Sequence, residues 1–263
     1  MATGVRSPRR PRIGDRTLRQ DRWWLAPAVT FVLFSAFVVY ATWRAFSGVD
    51  YYTTPYLSPF YSPCLATSCV EGSSDFGQPV GGWWPFSPAL ILLFVPLGFR
   101  MTCYYYRKAY YRAFWLSPPA CAVAEPHGRY TGERRFPLIL NNAHRWFWYA
   151  AVLVACVLTF DTVLTFRDSS GAWGHMGLGS LIFVANIVLI WGYTMGCHSC
   201  RHAVGGRLRH FSRHPVRYRA WTLVTRLNTR HAAWAWASLF SVALTDLYVY
   251  LLATGTISDP RFF

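Results

Sequence analysis

Charge is what this sequence has least of. Only 14% of its 263 residues are charged, against 53% hydrophobic and 18% aromatic, which excludes an ordinary soluble domain of this size and makes the bilayer the expected solvent. Acid is scarcest: 11 Asp and Glu stand against 26 Lys and Arg, a formal charge of +15. Lysine is nearly missing, Lys108 being the single one. No internal repeat is present, and no long low-complexity tract follows the Arg/Pro-rich first 20 residues.

Five apolar stretches reach the roughly 20 residues that a helical span requires, at about 25–46, 83–106, 146–166, 176–196 and 232–253. Pro96 and Arg100 interrupt the second. Proline is tolerated in membrane helices, and Arg100 is expected to snorkel to an interface. Trp23, Trp24, Trp83, Trp84, Trp146 and Trp148 sit at span ends, as an aromatic belt does. The leader to Arg22 and the segments 107–145 and 201–230 hold 22 of the 26 basic residues, all on one side of the membrane. That side is the cytoplasm by the positive-inside rule. The expected fold is an all-α integral membrane protein with a basic leader over 1–22 and a five-helix domain over 23–263. Its N-terminus is cytoplasmic, its C-terminus outside, and its location the cell membrane. The first apolar run is too long for a signal h-region and is read as the first span.

The basic loops are read as topology determinants touching anionic lipid, with no nucleic acid as partner. The outer loop 50–82 contains Cys64 and Cys69, which face an oxidising compartment and could pair. The two inner loops, with Ser117-Pro118-Pro119 and His214-Pro215, look like ordered platforms for a soluble partner.

Sulfur and imidazole groups gather on the inner side. Cys103 ends span two, Cys121 and His127 lie in the first inner loop, and His144 precedes span three. Span four ends in Cys197-His198-Ser199-Cys200-Arg201-His202, and His231 opens span five. If the helix continues, Cys197 and Cys200 share a face at i, i+3 and can bind one iron or zinc. A c-type haem attachment fails because Arg201, not His, follows the second Cys, and a thioredoxin-like pair lacks its βαβ context. Completing a metal site takes two more ligands, and His144 and His231 stand at matching depth. Two thiolates with two imidazoles suit a Rieske [2Fe-2S] centre or zinc; the two histidines alone could hold one b-type haem. His175 is the only histidine on the outer half, so two haems are disfavoured. Asp161 and Asp246 lie within spans in the outer half near His175, either as a proton path or as buried hydrogen-bonding groups satisfied by residues such as Asn186 or Tyr248.

The strings Met101-Thr-Cys-Tyr-Tyr-Tyr-Arg-Lys108, Ser117-Pro-Pro-Ala-Cys-Ala-Val-Ala-Glu-Pro-His127, Gly196-Cys-His-Ser-Cys-Arg-His202, Asp246-Leu-Tyr-Val-Tyr250 and Asp259-Pro-Arg-Phe-Phe263 resemble the single-chain membrane anchor of actinobacterial succinate dehydrogenase. The resemblance runs from span one to the tail. It implies a complex with a flavoprotein that oxidises succinate and an iron-sulfur subunit docked on the cytoplasmic face, so that no residue of this chain is catalytic. It also implies delivery of electrons to menaquinone or ubiquinone and, in some members, a Rieske-type cluster within the membrane. The first-choice ligands are Cys197, Cys200, His144 and His231, followed by His198, His202, Cys103 and Cys121. Tyr104, Tyr106, Arg107, Arg145 and Trp146 offer donors and aromatic walls for a quinone headgroup. The rival readings are a quinone-linked thiol-disulfide oxidoreductase using Cys64 and Cys69, a single-haem b anchor of the same complex, and a zinc-bearing anchor or transporter without redox chemistry.

Overall fold

A computed structural model describes residues 10–15, 20–65, 69, 83, 87–121, 123–126, 132–136 and 138–263. Most of the leader, most of the outer loop beyond Cys69, Trp84 and His127 lie outside the described residues. The described chain is helical: α1 Leu25–Ser47, α2 Pro88–Met101, α3 Tyr104–Trp115, α4 His144–Leu164, α5 Leu178–Met195, α6 His198–Gly205, α7 Pro215–Thr229 and α8 His231–Ala253, with one hairpin, β1 Tyr52–Thr53 and β2 Tyr56–Leu57. A 3-10 turn, Leu138–Ala143, leads straight into α4.

Among the described residues four helices are long and apolar enough to cross a membrane: Leu25–Ser47, Leu138–Leu164, Leu178–Met195 and His231–Ala253. Their outward side chains are apolar too: Val39 is 70% exposed, Leu153 69% and Leu244 62%, which suits a hydrocarbon surround and not water. The second expected span departs from the continuous helix 83–106. Here α2 has only 14 residues, about 21 Å of rise, and starts at Pro88 behind a Ser87 side chain that accepts from Ala89 N at 3.2 Å. It ends at Met101; the Thr102 hydroxyl bonds back to Gly98 O at 2.6 Å, Cys103 adopts extended backbone and α3 begins.

α5 packs most extensively against α8 and, with α2, against α4, while α1 lies on α3. Close approach explains two glycines. A Cβ on Gly192 would sit 2.5 Å from the Trp234 ring and one on Gly98 would sit 2.1 Å from the Phe147 ring, so larger residues would push α5 from α8 and α2 from α4.

The hairpin end of the bundle is locked by a buried ion pair. Arg44, at the end of α1, and Asp246, in α8, are both fully buried and meet at 2.8 Å through Nε. Tyr40 Oη donates to Asp246 at 2.5 Å, and Ser58 Oγ donates to the same carboxylate. The remaining guanidinium protons reach Ser47 Oγ at 3.0 Å, Val49 O at 3.2 Å and Asp50 O at 3.1 Å. Sequence reasoning had offered Asn186 or Tyr248 as partners for Asp246; Asn186 instead accepts from Ser241 and Tyr248 donates to Asp259. Asp259 also accepts from Tyr56 Oη at 2.5 Å and Gly179 N at 2.9 Å, which pins the C-terminal tail to the start of α5, where a carboxylate is favoured. Burial and the Asp259 carboxylate hold the Tyr56 hydroxyl up at about 12.

Removing one member of a buried ion pair costs about 3–5 kcal/mol. Asp246→Ala and Arg44→Ala are each expected to lower the unfolding midpoint in detergent substantially. The Arg44→Leu, Asp246→Leu double variant is expected to lose less than the sum of the two single losses, as a thermal-unfolding double-mutant cycle would measure.

Candidate redox centre

Helix starts converge at the end of the bundle opposite the hairpin. α5 stops at Met195, and Cys197 takes extended backbone (φ −67°, ψ 145°) as the residue capping α6. Its sulfur accepts from Ser199 N at 3.4 Å, the role usually filled by a Ser or Asp oxygen. Cys103 stands in the same position ahead of α3 (φ −70°, ψ 130°). His144 opens α4 and His231 opens α8. All four donors therefore occupy helix boundaries, two as capping residues and two as first helical residues.

The side chains meet in two sulfur–nitrogen pairs. His144 Nε2 lies 3.1 Å from Cys197 Sγ, and His231 Nε2 lies 3.6 Å from Cys103 Sγ. Each imidazole is stacked on an aromatic ring: Phe99 on His144 at 5.0 Å and 8°, Tyr193 on His231 at 4.9 Å and 16°. Thr102 uses its one hydroxyl proton on Gly98 O, so it accepts from His144 Nδ1 at 2.9 Å. That bond fixes the tautomer and leaves the Nε2 lone pair facing Cys197. Cys103, Cys197 and His231 are at most 2% exposed. Burial, reinforced by nearby Cys103 and partly offset by the Ser199 amide, pushes the Cys197 thiol up to about 12. Among the described residues no three His, Cys, Asp or Glu side chains converge closely enough to hold a single ion.

Beyond Phe99 and Tyr193 lies an apolar cavity of about 380 Å³, bounded by α1, α2, α4 and α5 and lined by Phe37, Leu93, Ala155 and Leu158 among others, with Arg100 at its wall.

The comparisons with known proteins agree with this architecture. A family model described as actinobacterial succinate dehydrogenase subunit SdhC matches residues 25–255. The chain belongs to that family. It is similar over 100% of both chains to a chain of the solved Mycobacterium smegmatis Sdh1 complex in the apo form, at 58% identity and a TM-score of 0.86. No match arises among curated proteins. As an SdhC, the chain is a multi-pass membrane-anchor subunit of the succinate dehydrogenase complex, and the other subunits of that complex are its partners.

The anchor's geometry sorts the residues singled out from sequence. Cys197, His144 and His231 come together, but the helix does not continue through Gly196, so Cys197 and Cys200 do not share a helical face. Cys200 sits buried within α6 and makes neither sulfur–imidazole contact; Cys103 does. His198 and His202 meet edge to face at 4.3 Å, and Cys121 is exposed. Tyr104 is 63% exposed and Trp146 74%, Arg145 is exposed, and Arg107 pairs with Glu133. Tyr106 is buried, its hydroxyl bonded to Ala235 O and reached by Arg100 at 2.6 Å. These five residues do not line one pocket. Asp161 accepts from Ser62, and His175 Nε2 lies 3.4 Å from Tyr56 Oη. Arg100 does not snorkel outward: it reaches Ala235 O at 3.1 Å and Ser238 Oγ at 3.0 Å on α8 and lies over the Tyr193 ring at 4.8 Å. Phe99, Thr102 and Tyr193 escaped sequence reasoning, because a Phe, Thr or Tyr inside an apolar run carries no signal of its own. Arg100 did carry one, as a charge inside a span.

Burial makes the thiol end closed to reagents. Maleimide applied to the solubilised SdhC is expected to label Cys121 and to spare Cys103, Cys197 and Cys200 until the protein is denatured, as peptide mass mapping would establish.

Proposed function

We propose that this SdhC relays electrons from its succinate-oxidising partners to membrane quinone through a Rieske-type [2Fe-2S] cluster held by Cys103, Cys197, His144 and His231. The observation that carries the reading is the donor set: two buried thiols gathered with the buried His231 and the half-buried His144. A lone zinc ion needs four donors around one point, whereas a two-iron cluster takes two protein ligands per iron. When bound, the cluster supplies a one-electron relay at a potential raised by its two histidines.

The chain's own residues supply the rest. Thr102 and Phe99 orient His144, and Tyr193 orients His231. The starts of α3 and α6 present backbone N–H groups beside the two cysteines, which favours thiolate and an anionic cluster. A single-haem b anchor would need a slot for the macrocycle between the histidines; each histidine instead faces a thiol, and the cavity is lined by neither. A thiol-disulfide oxidoreductase needs an accessible pair, and the Cys64–Cys69 disulfide packs among Tyr51, Leu57, Tyr61 and Ala89.

On this reading α2 completes five crossings. The arginine-rich thiol end is cytoplasmic in the cell membrane, the N-terminus lies on that side and the C-terminus outside. The flavoprotein and iron-sulfur subunits dock at the thiol end. The cavity beside Arg100 and Tyr193 takes menaquinone or ubiquinone, its apolar walls suited to the isoprenoid chain. Asp246, Asp161 and His175 hold the hairpin end together and carry no proton.

Electron paramagnetic resonance of the reduced complex, with metal analysis and an optical scan, tests the assignment. The wild-type complex is expected to show a membrane-subunit iron-sulfur signal and no Soret band. A His144→Ala, His231→Ala double variant and Cys103→Ser should lose that signal, and Cys200→Ser should keep it. Zinc without iron in this subunit, or a haem spectrum, would sink the proposal. Thr102→Val is expected to weaken cluster retention about 10- to 100-fold, measured as iron lost to a chelator.

A further inference from the structure

One buried hydroxyl breaks a rule that its neighbours obey. Tyr40, Tyr51, Tyr56, Tyr106 and Tyr248 each donate to a carboxylate or a backbone carbonyl. Tyr193, 2% exposed, has no hydrogen-bond partner for its hydroxyl among the described residues. Its ring is clamped, with the His231 imidazole stacked at 4.9 Å, Phe99 at 5.0 Å and the Arg100 guanidinium at 4.8 Å. The hydroxyl is thus placed by the surrounding rings and not by a bond of its own. The ionisable groups beside it are Cys103, Arg100, Tyr106 and Cys197, so it stands by both thiols of the candidate centre, with Cys103 the nearer in influence. A buried donor without an acceptor is rare enough to require an explanation.

Resting on the cluster reading above, we infer that Tyr193 is a positioning and tuning residue whose hydroxyl donates a hydrogen bond to a sulfur of the bound [2Fe-2S] cluster. Reduction adds negative charge to the cluster sulfurs, so a donor aimed at them stabilises the reduced form more than the oxidised one and raises the potential. Arg100 against the ring face acts in the same direction by charge. The role is electrostatic; Tyr193 itself is neither oxidised nor deprotonated.

The test is a redox titration of the complex followed by electron paramagnetic resonance, beside iron content and the KM for quinone. Tyr193→Phe keeps the ring and the stack on His231. With iron content unchanged, it is expected to shift the reduction equilibrium about tenfold toward the oxidised cluster, a fall of about 59 mV for a one-electron couple. Incorporating 3-fluorotyrosine at position 193 strengthens the donor and is expected to move the midpoint upward. This second variant keeps the hydroxyl and so remains informative if Tyr193→Phe fails to load iron. Unchanged midpoints in the loaded variants would overturn the inference, and so would an unchanged midpoint with a raised KM, which would place the hydroxyl on quinone. A wild-type complex with no such cluster signal would instead overturn the cluster reading, and this inference with it.

Discussion

Hydrocarbon offers no hydrogen bonds, and the architecture of this anchor follows from that constraint. Within the bilayer core every backbone N–H and C=O must be satisfied by the chain itself, so the crossing segments are helices and irregular backbone is confined to their ends. Cys103 and Cys197 stand at two such ends, each taking extended dihedrals to cap the following helix. His144 and His231 begin the two long helices that run back across the membrane. The depth at which helices stop therefore sets the depth at which donors collect. Four chain segments far apart in sequence deliver their chemistry to one layer without any loop having to enter the core.

The two ends of the bundle solve the polar-group problem differently. At the hairpin end the Arg44–Asp246 pair is saturated by Tyr40, Ser58, Ser47 and backbone carbonyls, so charge is present but has no bonding capacity left for a ligand. At the thiol end, by contrast, the Tyr193 hydroxyl and His231 Nδ1 are buried without partners. Fully satisfied polar clusters hold a structure in one state; unsatisfied ones are where a structure has given up stability for some other purpose. His175 Nδ1 and Arg167 Nε are unpartnered as well, so the contrast holds between the saturated Arg44–Asp246 cluster and the thiol end, and not between the two halves of the bundle.

Four of the crossings were legible because length and apolarity alone specify them, and the crowding of Cys and His at one end followed from topology. The second crossing was only half legible. Its apolar count includes residues on both sides of a break at Thr102–Cys103, and a single residue in extended backbone leaves no periodic trace. The geometry around Cys200 was no more legible. The Cys197–Cys200 spacing pointed to a shared face only on a continuing helix, and Gly196, a common terminator, was the residue to weigh against it. Cys103 is 94 residues from Cys197 in sequence, and only the packing of α2 and α3 against α5 and α8 brings it near. Asp246 announces itself as an ion inside a span, whereas its partner Arg44, 202 residues away, is identified only by the fold.

Burial of the two thiols narrows the chemistry that this end can perform. Thiol–disulfide exchange requires in-line contact between an attacking thiolate and a sulfur, so cysteines that exchange must be reachable by their substrate. Cys103 and Cys197 are buried in one cluster with Phe99 and Tyr193. An electron needs no such opening. A site that is closed to solvent, carries sulfur and imidazole donors and abuts an apolar cavity is suited to moving electrons while excluding the water and oxygen that would divert them. On the proposed reading, occlusion, a defect in a thiol enzyme, becomes the working condition of a membrane relay.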